Sequence, residues 1–169
     1  MATGDVYMNP GTEITFQSSG GTVAITIDEN CTAENGVTSA AWEAAEAYTT
    51  ARPEEYRWTC KAYWGAGAVV GETLDLYLAE ANADGEYDGG ATAATADFTD
   101  EQALKNMTYV GSVICTTATE EQEYASGVVR VLSNKALLVV WNASAAAPMH
   151  ATATNFEFKL LPIPMAVQS

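Results

Sequence analysis

Between residues 55 and 80 the chain carries EYRWTCKAYW and ETLDLYLAE, joined by GAGAVVG. Both flanking segments alternate apolar and polar residues, and the side chains of a β-strand point to opposite faces with a period of two. Tyr56, Trp58, Cys60, Ala62 and Trp64 therefore share one face of the first strand, with Arg57, Thr59, Lys61 and Tyr63 on the other. In the second, Leu74, Leu76 and Leu78 oppose Thr73, Asp75, Tyr77 and Ala79. Burying each leucine contributes roughly 1.5–3 kcal/mol, whereas an exposed ion pair at Asp75 contributes about 0–1 kcal/mol. The core sets the pattern, and the pattern is that of a sheet with one apolar face.

A chain of 169 residues suits one domain able to bury a core without metals or disulfides. The expected organisation is an N-terminal arm over residues 1–12 and a single β-sandwich domain over 13–169. With 22 acids against seven bases the net charge is −15, which repels phosphate and argues against direct binding of nucleic acid. The bases Arg52, Arg57, Lys61, Lys105, Arg130, Lys135 and Lys159 are scattered, so no basic stripe is legible, although folding can gather some of them. Three widely spaced cysteines and one histidine point away from a zinc site and from a disulfide framework. Cys60 and Cys115 fall inside strand patterns, where a buried thiol acts as a small apolar residue. The opening MATGDVYMNP lacks the basic start and apolar stretch of a secretory signal, and apolar runs such as residues 136–141 are far shorter than a membrane span. Folding in a reducing cytoplasm, with no membrane partner, is the expectation.

Along the chain, residues 13–17 and 22–28 read as a hairpin around Ser18-Ser19-Gly20-Gly21, with Val23, Ile25 and Ile27 on one face. Residues 39–48, SAAWEAAEAY, suit a short helix by propensity, or an irregular connector or edge strand. Residues 81–97 form a long polar loop, an interaction element if it is not disordered. Residues 99–106 read as one or two helical turns capped by Thr99. Further strands are expected at 109–116, 127–132, 136–142 and 155–161. ALLVVW is continuous enough to be buried on both sides, and the last strand ends at Pro162 and Pro164. Eight or nine short strands with at most one or two short helices make an all-β, antiparallel sandwich or jelly-roll.

Reaction chemistry is hard to place on this pattern. Nucleophilic hydrolysis needs a base beside Ser or Cys, and His150 is the one imidazole. No Gly-x-Ser-x-Gly elbow is present, so His150 reads as a loop residue. Glu54 with Glu55 and Glu120 with Glu121 read as solvated turns rather than a glycosidase pair. The glycines Gly65, Gly67 and Gly71 lie between strands and do not cradle phosphate. Oxygen donors at Glu80, Asn82, Asp84 and Asp88 around Gly85 look like the start of a calcium loop, but Ala91 stands where the closing carboxylate belongs. No cofactor is expected. Among the aromatics, Trp58 and Trp64 read as core, whereas Tyr63, Tyr77 and Tyr87 are the candidates for an exposed interaction surface.

The run YRWTCKAYWGAGAVVGETLDLYLAEANADGEYDGG, the later KNMTYVGSVICT and the tail HATATNFEFKLLPIPMAVQ, together about residues 55–168, resemble small virion structural proteins of tailed bacteriophages, of the head decoration (cement) type. The chain departs from that pattern at Met165 and Ala166, where acids are expected before the terminal Val-Gln. The resemblance implies a β-sandwich or jelly-roll core and a non-enzymatic assembly role. The expected partners are the major capsid protein and further copies of the chain, as in a trimer. Net charge adds a location: −15 per copy is repelled by packaged DNA and tolerated on the capsid exterior. The competing expectation is a carbohydrate- or receptor-binding module of a fibre or tail, built on the exposed tyrosines.

Overall fold

The computed structural model describes residues 6–8, 12–43, 53–83, 85–93, 97–117, 122–145, 147–163 and 165–167. The chain is nearly all β, arranged as two principal sheets. One contains β2 (Ile14–Gln17), β3 (Val23–Ala24), β6 (Glu55–Tyr63), β10 (Gln122–Arg130) and β12 (Glu157–Pro162), in the order β10-β6-β12-β2-β3. The other contains β4 (Asn35–Thr38), β5 (Trp42–Glu43), β7 (Thr73–Ala81), β8 (Asp97–Phe98), β9 (Thr108–Ile114) and β11 (Lys135–Asn142). Its order is β8-β4-β11-β7-β9, with β5 pairing β11 alongside β4. Separately, β1 (Val6–Met8) pairs antiparallel with β13 (Met165–Val167), so the arm's strand meets the chain's own tail.

The alternation read from the sequence holds in β6 and β7. Tyr56, Trp58, Cys60, Ala62 and Trp64 are buried, as are Leu74, Leu76 and Leu78. Together with Phe16, Ile25, Leu138, Val140, Phe158 and Leu160 they fill the space between the sheets. The two strands do not pair with each other, however. β6 lies between β10 and β12, β7 lies between β11 and β9, and the GAGAVVG segment crosses from one sheet to the other. That crossing is pinned. The Glu72 carboxylate accepts from Ser144 Oγ at 2.6 Å, Ala145 N at 3.0 Å and Val69 N at 3.3 Å. The Ser144 hydroxyl holds the Glu72 carboxyl below its usual range, with burial opposing.

Two expectations are corrected, and one open reading is decided in part. Residues 14–24 do not make an antiparallel hairpin: β2 and β3 pair in parallel, Phe16 opposite Val23. The chain doubles back beside β2 and turns again, and a β-carbon on Gly21 would stand 2.8 Å from the Thr15 carbonyl. Val23, Ile25 and Ile27 still bury on one face, because alternation is indifferent to strand direction. At residues 39–48 the edge-strand alternative holds for Trp42 and Glu43, which form β5, and residues 44–48 lie outside the described residues. Residues 101–106 form a 3-10 helix whose cap is Asp100, not Thr99; the Asp100 carboxylate accepts from Gln102 N and Ala103 N.

The loop over residues 81–97 is in large part structural. Tyr87 and Ala91 join Phe98, Ala103, Leu104 and Met107 in a second apolar cluster on the outer face of the six-stranded sheet, against Ala79, Leu137, Val139 and Trp141. This cover explains why the 136–141 run is buried on both faces.

Cys31, Cys60 and Cys115 are free and buried. Burial, reinforced by Asp28 and Asp97, pushes the Cys31 thiol up to about 12, and burial pushes Cys60 and Cys115 upward as well. A raised thiol pKa favours the protonated form in the folded state. The resulting stability is fully present below the unfolded value near 9.0 and is lost as pH climbs toward the folded values. The unfolding free energy from denaturant titrations should therefore fall above pH 9, by roughly 1 kcal/mol per pH unit for each of Cys31 and Cys60. A thiol reagent at pH 8 should label none of the three cysteines until denaturant is added; rapid labelling of the native protein would contradict the buried placement.

Candidate functional site

Two surfaces stand out, one on each outer face of the sandwich. The first is the outward face of the five-stranded sheet. β6, β10 and β12 pair in a register that sets Tyr124 beside Lys61 and Glu157, Ser126 beside Thr59 and Lys159, and Val128 beside Arg57 and Leu161. Arg130 stands opposite Glu55. Four of the seven bases, Arg57, Lys61, Arg130 and Lys159, thus gather on one face of a chain of net charge −15. Lys159 is bridged to Glu13 at 3.3 Å and Glu157 at 3.4 Å, and Arg130 pairs with Glu54. Arg57 and Lys61, in the middle of the face, have no ion-pair partner among the described residues. Tyr124 and Val128 beside them are 70% and 62% exposed. The scatter of these bases in sequence hid a cluster that strand pairing creates.

The second surface is a groove of about 360 Å³ between the six-stranded sheet and the 101–106 turn, lined among others by Asp75, Tyr77, Glu101, Lys105, Tyr109 and Trp141. A β-bulge builds it. The β7–β9 register slips between Leu76 and Tyr77, so Leu76 faces Gly111 while Tyr77 faces Tyr109. One extra residue on β9 breaks the period of two: Val110 and Val113 both bury in the core, while Tyr109 lines the groove and Ser112, three residues on, lies opposite Asp75. Ser112 Oγ donates to Asp75 Oδ1 at 2.5 Å, and Tyr109 OH lies 2.5 Å from Ser112 Oγ. Tyr77 meets Tyr109 edge to face at 5.4 Å, and Trp141 is held by the edge of Phe98 at 6.4 Å. Burial first, then the Asp75 carboxylate, pushes the Tyr77 phenol upward, so it stays protonated at neutral pH.

The three tyrosines singled out in the sequence separate. Tyr77 lines the groove. Tyr63 packs on the His150 ring at 4.7 Å, away from it. Tyr87 is 5% exposed inside the outer cluster and offers no surface for a partner. Tyr109 was missed as a site residue; its signal was the broken alternation of TYVGSVIC, which marks a bulge.

Of the oxygen donors around Gly85, Glu80 is buried and committed elsewhere. Its carboxylate accepts from Thr108 Oγ1 at 2.9 Å and from Leu132 N and Ser133 N at 2.8 Å each. Asp88 accepts from Glu80 N at 3.3 Å, Asn82 is exposed, and Asp84 lies outside the described residues. Among the described residues no group of three or more His, Cys, Asp or Glu is placed to hold a metal ion. His150 Nδ1 accepts from Thr152 N at 3.0 Å and lies 3.1 Å from Asn155 Nδ2, which fixes the ring within its own loop. No helix among the described residues is long and apolar enough to cross a membrane. No family model matches the chain, and no curated protein matches it in sequence.

Proposed function

We propose that this chain is a non-enzymatic virion structural protein of the head decoration (cement) type. It docks on the outer surface of a bacteriophage head, against the major capsid protein, through the outward face of the five-stranded sheet. The observation that carries the reading is that face: Arg57 and Lys61 at its centre, without an ion-pair partner among the described residues, and exposed Tyr124 and Val128 beside them, on a chain of net charge −15. Arginine and tyrosine are the residues that most often dominate binding energy at protein interfaces. Complementary charge sets register and speeds encounter. Copies bound across adjacent capsomers, and to one another as a homo-oligomer, favour the assembled shell by mass action. The acid that remains on the rest of the chain faces away from packaged DNA.

The test uses purified heads of the phage that encodes the chain. The wild-type protein should co-sediment with them and raise their resistance to heat or to dilution of divalent cations. Arg57→Glu with Lys61→Glu should weaken binding on the order of 100-fold while leaving the unfolding free energy within about 0.5 kcal/mol of wild type, since both side chains point outward. Heads that are equally stable without the protein, together with its absence from virions, would refute the assignment.

A further inference from the structure

We propose that the bulge-built groove on the six-stranded sheet binds a neutral oligosaccharide. The groove opens on the face of the sandwich opposite the proposed docking surface, so the inference does not depend on the shell-docking reading.

A pyranose ring presents an apolar C–H face and a rim of hydroxyls, and a site for it needs an exposed aromatic face beside fixed hydrogen-bonding groups. Tyr109 is 55% exposed at the groove wall, and its ring is braced by the edge of Tyr77 at 5.4 Å. The ring is therefore held in one orientation, which limits the conformational entropy lost when a ligand stacks on it. The polar rim is equally prearranged. Asp75 Oδ1 is fixed by Ser112 Oγ, which itself sits 2.5 Å from Tyr109 OH. The second oxygen of Asp75 and the Glu101 carboxylate have no hydrogen-bond partner among the described residues, which leaves acceptors for sugar hydroxyls. Lys105, held to Gln102 Oε1 at 2.5 Å, supplies a donor. Mixed aromatic and convergent polar lining, in a volume at the small end of ligand sites, matches one or two sugar units.

Charge narrows the class. Two carboxylates against one ammonium give the groove a net negative charge, which repels sialylated, uronic or sulfated sugars and admits uncharged ones. The same reasoning excludes nucleotides.

Calorimetric titration of the full chain with cellotetraose, maltotetraose, mannotetraose and chitotetraose, and with sialyllactose as the charged control, tests this. At least one neutral tetrasaccharide should bind with a millimolar or tighter Kd, and sialyllactose should not. Tyr109→Ala should weaken that binding about tenfold or more, and Asp75→Asn should weaken it too. Tyr124→Ala, which removes a still more exposed tyrosine from the other sheet, should leave it unchanged. Tyr109→Phe keeps the stacking face and should retain most of the affinity, which separates stacking from a general loss of fold. Absence of heat with all four neutral sugars at about 10 mM, affinity indifferent to Tyr109→Ala, or a preference for the sialylated control would each overturn the inference. None of these results bears on co-sedimentation with heads, so the two readings fail separately.

Discussion

Trp58→Ala is expected to lower stability by about 3–5 kcal/mol, and Gly111→Ala by about 1–3 kcal/mol. The two effects share a contact. The Trp58 indole reaches from β6 across the core into the space between β9 and β10, where two glycines leave room for it. A β-carbon at Gly111 would lie 2.5 Å from Trp58 Cζ2, and one at Gly127 would lie 2.7 Å from Trp58 Nε1. Real β-carbons do not approach ring atoms that closely, so the ring or a strand must shift. The other face of the ring is stacked on Phe158 at 6.1 Å, 28° from parallel, which blocks an easy retreat. Removing the ring leaves a cavity whose walls belong to two sheets, and that cavity is large compared with a total folding margin of about 5–15 kcal/mol. Urea titrations followed by circular dichroism measure each change. Gly111 also holds φ at 158°, which an L side chain rarely adopts, so Gly111→Ala should keep a backbone cost but lose less in a Trp58→Ala background, where the contact with the ring is gone. Fully additive losses in the double variant would show that the contact with the ring contributes nothing to the cost at Gly111.

Glu80→Ala is expected to cost about 2–4 kcal/mol. The buried Glu80 carboxylate is the acceptor for the two backbone N–H groups, Leu132 and Ser133, where the chain leaves β10 for β11, and for Thr108 at the start of β9. Hydrogen bonds to an ionised group contribute about 1.5–3 kcal/mol, and buried donors left without a partner add their own penalty. Glu80→Gln should lose about half as much, since its carbonyl oxygen still meets the two N–H groups while its amide faces a hydroxyl able to accept. The comparison separates this account from calcium binding: if Glu80 were a metal ligand, adding calcium would restore much of the stability of the wild type relative to a chelated sample. A calcium-independent melting temperature is the expected result.

What was legible in the sequence was local. Alternation in 55–64 and 73–80 fixed which side chains enter the core, because it depends only on the pleat. Likewise the 136–141 run was identifiable as doubly buried, although its outer cover was not: that cover comes from Tyr87, Ala91, Phe98 and Leu104, apolar residues dispersed through a polar stretch. Pairing was hidden, since β6 and β7 look like neighbours in sequence yet belong to different sheets. β4 went unseen altogether. Its NGVT holds one strong strand former, and its Gly36 is present because a β-carbon would stand 2.9 Å from the Val140 carbonyl, a requirement set by a strand a hundred residues away. The candidate surfaces follow the same division. Tyr77 was identifiable as an outward aromatic from its strand alone. Its partners Tyr109 and Ser112 required the bulge, and the grouping of Arg57, Lys61, Arg130 and Lys159 required the register of three strands.

An electron cryomicroscopy reconstruction of phage heads incubated with this protein tests the proposed assignment most directly. The account predicts density for the sandwich on the shell's exterior, with Arg57, Lys61, Tyr124 and Val128 turned toward the capsid lattice and the Tyr109 groove open to solvent. A head carrying no such density, or a sandwich seated with its six-stranded sheet against the shell, would contradict it.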